Sequence, residues 1–334
     1  MRPPYSGERT MNPHDLRPML ATAGKPPARY ADFAIEAKYD GQRGLAIYRD
    51  GTVTLLSRNG ADITHTFPEI AAALPATALG RPVVLDGEIV ALDATGVPSF
   101  GRLQRRWPQN RRPSAALLKD CPVQFFAFDV LSRDGRATTG QPYVERRALL
   151  EALAAEGSSR VFRFPANWMD CDPEVVLAAA AELGLEGIVS KRLDSVYLPG
   201  RRSSCWIKTP LRRRSEFVVG GWLPGEGINR HTVGALLVGA YDDGAQLQFC
   251  GVVSSGLSAH HRRVLARQLA VLHCERAPFT DADLGALASH VRWVAPALIG
   301  DVEYREFNGS LRHASWKGLR QDLSDVGAVL VPAS

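Results

Sequence analysis

Lys38 ends the stretch Phe33-Ala34-Ile35-Glu36-Ala37 and opens Lys38-Tyr39-Asp40-Gly41-Gln42-Arg43. The first stretch predicts a strand, and Asp40-Gly41 predicts a turn after it. A lysine held at such a corner is a candidate nucleophile. Only the neutral amine attacks phosphorus, and with a reference pKa of about 10.4 roughly 0.04% of a free lysine is neutral at pH 7. Nearby cations and partial burial lower that pKa, and a nucleotide pocket supplies both. The chemistry that fits is attack on the α-phosphate of a nucleotide, leaving a lysine–nucleoside monophosphate adduct. A Lys-Xaa-Asp-Gly string by itself is a common turn, so its weight comes from its company.

The elements that would position this lysine can be read along the chain. Residues 43–49 and 52–57 alternate as strands and join through Asp50-Gly51, a two-residue hairpin signal. Pro82 to Leu92 and Val123 to Leu131 predict two more strands. Glu145 to Glu156 carries Ala148, Leu149, Ala152 and Leu153 at helical spacing. Asp172-Pro173 starts another helix, with aspartate as N-cap and proline in the first turn, ending near Gly184. Glu186 to Lys191 predicts a strand with an apolar middle. After Thr209-Pro210 the pattern becomes mostly strands: 216–223, 232–241, 246–253, and a hairpin of 301–307 with 311–316 across Asn308-Gly309. One helix, capped by Ser258, runs to about His273. Five strands and one helix in such a length predict a small Greek-key barrel of the OB type. The expected division is 1–209, α+β, and 210–334, all-β.

Composition excludes several classes. With 334 residues, 45% hydrophobic and 22% charged, both parts have the material for a packed core. No apolar run is long enough to span a membrane, and Met1 to Pro13 lacks the apolar core of a signal peptide. Cys121, Cys171, Cys205, Cys250 and Cys274 contain no CxxC spacing, which argues against a zinc ribbon or a disulfide framework. These features predict a cytoplasmic, nucleoid-associated monomer. The net charge of +5 is mild, but its distribution is uneven. Arg102, Arg105, Arg106, Arg111, Arg112 and Lys119 fall in a stretch without acids, as do Arg201, Arg202, Lys208, Arg212, Arg213 and Arg214. With Trp107 and Trp206 nearby, both segments predict a polyanion-binding surface over a merely solvated one.

Six short strings now stand in order: Lys38-Tyr39-Asp40-Gly41-Gln42-Arg43, Ser57-Arg58-Asn59-Gly60, Asp86-Gly87-Glu88, Phe126-Ala127-Phe128-Asp129, Glu186-Gly187-Ile188-Val189-Ser190-Lys191 and Trp206-Ile207-Lys208. Together they resemble the ATP-dependent DNA ligases of the covalent nucleotidyltransferase superfamily. The likeness runs from about residue 16 to 326. It is greatest to compact bacterial ligases and the ligase domain of bacterial end-joining ligases, as Arg17-Pro18-Met19-Leu20-Ala21 and Gly318-Leu319-Arg320 also suggest. The resemblance implies an α+β nucleotidyltransferase (adenylation) domain followed by an all-β OB-fold domain. It implies ATP with Mg²⁺ or Mn²⁺, and duplex DNA with nicks or ends as substrate. A Ku protein and an end-processing polymerase are candidate partners.

Site roles follow residue by residue from the same resemblance. Lys38 is the expected nucleophile. Glu36 is expected at the adenine edge, with an exposed strand acid as the alternative. Arg43 is expected at the ribose and later the nick, and Arg58 at a phosphate. Glu88 is expected at the ribose hydroxyl or a metal-bound water, and Glu186 at the metal. Phe128 is expected to stack on adenine, whereas Phe125 and Phe126 read as core. Lys191 and Lys208 are expected to approach the α-phosphate, and Arg320 to act in orienting pyrophosphate. Two positions depart from the family pattern: Pro210 and Leu323 stand where lysines are usual. An RNA ligase or GTP-dependent capping-type enzyme is the nearest alternative. A nucleic-acid-binding module without catalysis is the more distant one.

Overall fold

The computed structural model describes residues 16–107, 111–157, 159–280 and 284–332. The chain divides into two compact units, one running to Leu211 and the other starting at Arg212. The first unit is built on two β-sheets. One, the site sheet, has the order Leu20–Ala23, Arg202–Pro210, Gly187–Arg192, Phe33–Lys38, Asn167–Met169. The other, the core sheet, has the order Thr52–Ser57, Gln42–Arg49, Val83–Val90, Gln124–Arg133, Arg136–Ala137.

The expected hairpin is present in the core sheet. Asp50 and Gly51 both have positive φ, 51° and 73°, which suits a tight turn following strand twist. From that sheet Leu85, Ile89 and Phe125 pack with Ile70 and Leu74 of the helix Pro68–Thr77. Leu150 and Leu153 of the helix Tyr143–Glu156 join the same cluster. Alternate residues Leu45, Ile47 and Val84 instead meet Met19, Tyr197 and Trp206. Trp206 belongs to the site sheet, so this second cluster ties the two sheets together. Behind the site sheet, Ile35 and Ile188 pack against Val176 and Ala180 of the helix Pro173–Glu182. Asp172 caps that helix, accepting a hydrogen bond from the Glu174 N–H at 2.9 Å.

The second unit has a five-stranded antiparallel sheet ordered Leu247–Val253, Val233–Tyr241, Arg213–Pro224, Arg292–Tyr304, Ser315–Leu319. Ser255 and Ser315 form a parallel bridge, and the Trp316 N–H donates to the Ser255 carbonyl at 2.9 Å. This contact joins the two ends of the sheet, as in an OB-type barrel. Leu265 and Leu269 of the helix Ala259–Ala270 enter the barrel core beside Phe217, Val238 and Trp316. The expected strand at 301–307 in fact begins at Arg292. Pro296 obscured its start, because the ladder jumps there from Val219↔Leu298 to Gly221↔Trp293. The hairpin across Asn308-Gly309 shrinks to Glu306–Phe307 and Leu311–Arg312, and Ser315–Leu319 is a separate strand returning to Arg292–Tyr304.

Candidate active site

Strand register decides which side chains share a face. Lys38 pairs with Gly187, Glu36 with Val189 and Ala34 with Lys191. On the next ladder Gly187 pairs with Pro210, Val189 with Lys208 and Lys191 with Trp206. Directly opposed residues point the same way. Glu36, Lys38, Lys191, Trp206 and Lys208 therefore project from one side of the site sheet. A cavity of about 480 Å³ opens there. Its walls carry the cations Lys38, Arg43, Arg58, Lys191, Arg202 and Lys208, against the carboxylates of Glu36 and Glu88. Such an excess of positive charge in a small concave space suits a compact polyanion.

Two glycines allow the strands to meet at Lys38. A Cβ on Gly41 would lie 2.2 Å from the Ile89 carbonyl oxygen. Gly187 has φ +139°, and a Cβ there would lie 2.2 Å from the Thr209 carbonyl oxygen. Neither position tolerates a side chain without displacing backbone, which is the physical content of the two motif glycines. Beside Gly187, the Glu186 N–H donates to the Lys38 carbonyl at 3.1 Å, and the Leu211 N–H donates to the Glu186 carbonyl at 2.8 Å. The backbone of Glu186 is thus pinned next to the lysine.

At this end of the cavity the charges are crowded. The Lys38 ammonium forms an ion pair with Glu186. Glu88 is pushed up to about 7, by burial first, with Lys38 and Arg43 opposing and the like charges of Glu186 and Asp86 adding to the rise. Lys208 is held below the ordinary lysine range, by burial first and then by repulsion from Lys38 and Arg202. Arg58 lies exposed on the turn after Thr52–Ser57 and lines the cavity.

The other end is closed and aromatic. Lys191 is 2% exposed; its Nζ lies 2.8 Å from Glu36 Oε2 and donates to the Phe128 carbonyl at 3.2 Å. The same nitrogen lies 4.3 Å from the Trp206 ring centroid and 4.4 Å from that of Phe128. Tyr143 donates its hydroxyl proton to Glu36 Oε1. Burial lowers the Lys191 pKa, with the Glu36 carboxylate opposing; burial also lifts the Tyr143 hydroxyl well above the usual tyrosine range. Glu36 is buried, so the exposed-acid alternative fails.

Arg43 sits between the two ends. Its Nε and Nη2 each lie 2.6 Å from an Asp86 oxygen, and Cζ lies 4.5 Å from the Phe128 centroid. Asp86 also accepts from the Tyr197 hydroxyl at 2.6 Å, and that hydroxyl accepts from the Met19 N–H at 2.8 Å. Burial alone would lower the Arg43 pKa; the Asp86 carboxylate more than reverses it and raises it above the usual arginine range. Phe125 is core, as expected, while Phe126 is half-buried and meets Tyr39 edge-on at 4.8 Å.

Eight of the expected residues (Glu36, Lys38, Arg43, Arg58, Glu88, Phe128, Lys191 and Lys208) line this one cavity, and Glu186 contacts Lys38. Arg320 lies in the second unit, forked on Asp322 at 2.9 and 2.7 Å and paired with Glu216. Pro210, in place of a lysine, occupies the same sheet face beside Gly187. The first basic segment is open in part: Arg105, Arg111, Arg112 and Lys119 are exposed, whereas Arg102 is half-buried and Arg106 is buried. Arg106 is 2% exposed and holds Glu69 at 2.8 and 2.9 Å, while Arg102 and Arg105 are engaged by Asp120. Asp120 directly follows Lys119, where the acid-free stretch ends. In the second segment Arg214 is paired with Asp301, whereas Arg202 and Lys208 line the cavity.

Comparison with known proteins agrees with this geometry. The family described as ATP dependent DNA ligase domain matches residues 18–209, and the ATP dependent DNA ligase C terminal region matches 229–323. The chain belongs to the ATP-dependent DNA ligase family. It is 41% identical over 312 residues to the multifunctional non-homologous end joining DNA repair protein LigD of Mycobacterium tuberculosis, covering 92% of this chain and 39% of that protein. This ligase-family chain therefore spans about two fifths of that relative. The crystal structure of the ligase domain from M. tuberculosis LigD matches with 40% identity and a TM-score of 0.56, over 96% of this chain and 100% of that one. A mycobacterial DNA ligase D complexed with ATP and MES matches with 39% identity and a TM-score of 0.57, over 96% and 99%.

Sequence reasoning for this chain missed the residues that hold the named ones. Tyr143 and Tyr197 carry no motif of their own, and Gln42 stands in the first string without an assigned role. Tyr143 meets Glu36 across 107 positions and Tyr197 meets Asp86 across 111, so no local spacing announces either contact. Trp107 was visible only as an aromatic among arginines.

Proposed function

We propose that this chain is an ATP-dependent DNA ligase that seals nicks or breaks in duplex DNA through a lysyl–AMP intermediate on Lys38. The observation that carries the reading is the single cavity in which Lys38 stands among Arg58, Arg202 and Lys208, with a closed aromatic end two residues away along the same strand. The aromatic end suits a purine and the cationic end a triphosphate. Glu36, Phe128 and Lys191 hold the base, Arg43 and Glu88 face the sugar, and Lys208 and Arg58 meet phosphate oxygens. Arg320 acts from the second unit on the leaving pyrophosphate.

Three in-line transfers follow. After the Lys38–Glu186 ion pair opens and the ammonium gives a proton to solvent, the neutral Nζ attacks the α-phosphorus; an N–P bond forms and the P–O bond to pyrophosphate breaks. A 5′-phosphate oxygen of DNA then attacks the same phosphorus and releases Lys38. Finally the 3′-hydroxyl attacks the DNA phosphorus and AMP leaves. The protein contributes positioning and charge neutralisation of the equatorial oxygens.

No cluster of three metal-ligating side chains occurs among the described residues. The donor set nevertheless fits Mg²⁺ or Mn²⁺, which bind through one or two carboxylates and complete their shell with phosphate oxygens and water. Glu88, whose proton affinity is raised in part by the like charge of Glu186, and Glu186 itself would hold it. When bound, such an ion supplies charge neutralisation at the phosphates.

Incubation with α-labelled ATP and Mg²⁺ should label the protein covalently, and Lys38→Ala should abolish the label. A labelled Lys38→Ala protein overturns the assignment, and labelling by GTP in preference to ATP moves the chain to the capping-type class. The labelled protein should then seal a nicked duplex. Partnership with Ku and a polymerase belongs to the same proposal, tested by end joining with and without each protein.

A further inference from the structure

We propose that Trp107 is a nucleobase-stacking platform at the rim of the Lys38 cavity. Its indole is 39% exposed and lines that cavity with Gln42, Arg58 and Glu88. An exposed indole normally has freedom to turn; this one is held. Its Nε1–H reaches Gln42 Oε1 at 3.4 Å, and Gln42 is four residues from Lys38. Phe100 meets it with ring centroids 5.4 Å apart and planes at 83°. An edge-to-face contact takes up at most one face of the indole. The rest of the half-exposed indole lines the cavity, whose wall also carries the cation Arg58. A fixed aromatic face next to phosphate-binding cations is how proteins hold unpaired bases without reading their sequence. The neighbouring cations explain why the platform takes a nucleotide and not a neutral aromatic: the phosphate is caught by charge and the base by stacking.

The ligand chemistry is a purine or pyrimidine base attached to a phosphate. Two sources supply it in the proposed reaction: the adenine of ATP, or a base of DNA beside the strand break. The inference rests on the ligase reading, and two separate assays distinguish them. One measures lysyl–AMP formation against ATP concentration. The other measures sealing of a nick already carrying 5′-AMP, which needs no ATP, against DNA concentration.

Trp107→Ala should raise KM about tenfold in one of these assays, the scale expected for one lost stacked base, with a smaller change in kcat. Trp107→Phe should recover most of the loss, because it keeps a ring but no Nε1–H. A KM effect confined to the adenylylated nick assigns the base to DNA; one confined to ATP assigns it to the nucleotide and overturns the placement of adenine at the closed end. Unchanged KM in both assays overturns the proposal, as does Trp107→Phe failing as badly as Trp107→Ala, which would make the Gln42 contact the active feature. If the parent protein forms no lysyl–AMP and seals no adenylylated nick, the ligase reading itself fails.

Discussion

The two ends of the cavity use similar residues to opposite effect. At the closed end Lys191 and Glu36 answer each other, with Tyr143 and the Phe128 carbonyl completing the set. At the open end Lys38, Lys208, Arg58 and Arg202 share the cavity wall, and Glu88 is held close to neutral protonation. Internal satisfaction gives rigidity and shape. Leftover charge gives a place for a charged substrate and for groups that change protonation. Only Ala37 separates Glu36 from Lys38 along one strand, so this contrast comes from what the neighbouring strands present.

Neutralising one lysine at each end should separate stability from rate. Lys191→Met leaves the Glu36 carboxylate buried beside Tyr143 without its cation, a change that typically costs about 3–5 kcal/mol. Urea unfolding should register it, and Glu36→Gln in the same protein should restore a good part. Lys208→Met should leave the unfolding midpoint nearly unchanged, since it also removes repulsion from Lys38, yet slow lysyl–AMP formation by about 10²–10³. If Lys208→Met unfolds the protein and Lys191→Met only slows it, the two ends have been assigned the wrong way round.

At both ends the charged residues were more legible than the strands and partners that hold them. Lys38, Arg58 and Glu88 stand in short strings whose turn residues and charges declare themselves, and the Asp50-Gly51 hairpin fixes one neighbouring ladder. The strand Arg202–Pro210 was not read as a strand at all. Its sequence mixes arginine, serine and threonine without alternation, and its place between Leu20–Ala23 and Gly187–Arg192 depends on pairings with distant segments. Arg106 misled for a related reason. A count of cations cannot show that Glu69, 37 residues away, buries one of them. The OB-type unit was legible in kind because its strands alternate and its turns carry Gly and Asn. Its long strand Arg292–Tyr304 lost its start to an internal proline.

A subtler difference between the ends lies in pH. Glu88 has its folded pKa raised from an ordinary 4.5 to about 7. The folded protein therefore binds this proton more tightly than the unfolded chain does. The stability it contributes is fully present below pH 4.5 and is lost as pH rises through 7. Glu88→Gln should remove that part of the decline in urea midpoint between pH 4.5 and 7. An unchanged decline in Glu88→Gln would mean that the carboxylate is already ionised in the folded protein at low pH.

The same distinction between answered and leftover charge should govern DNA affinity, with the smallest effect of the set. Each phosphate contact contributes about −0.9 to the slope of log K against log salt. Arg105 is already taken by Asp120, whereas Arg202 is exposed at the cavity wall beside Lys208. For binding to a nicked duplex, Arg202→Gln should make the slope shallower by about 0.9, and Arg105→Gln should leave it within error. Both residues come from acid-free basic segments, so their sequence surroundings predict equal losses. Only the partner of each guanidinium distinguishes them. Equal shallowing by both variants would show that Asp120 releases Arg105 to the DNA, and that an ion pair at an exposed surface does not withdraw a cation from its polyanion.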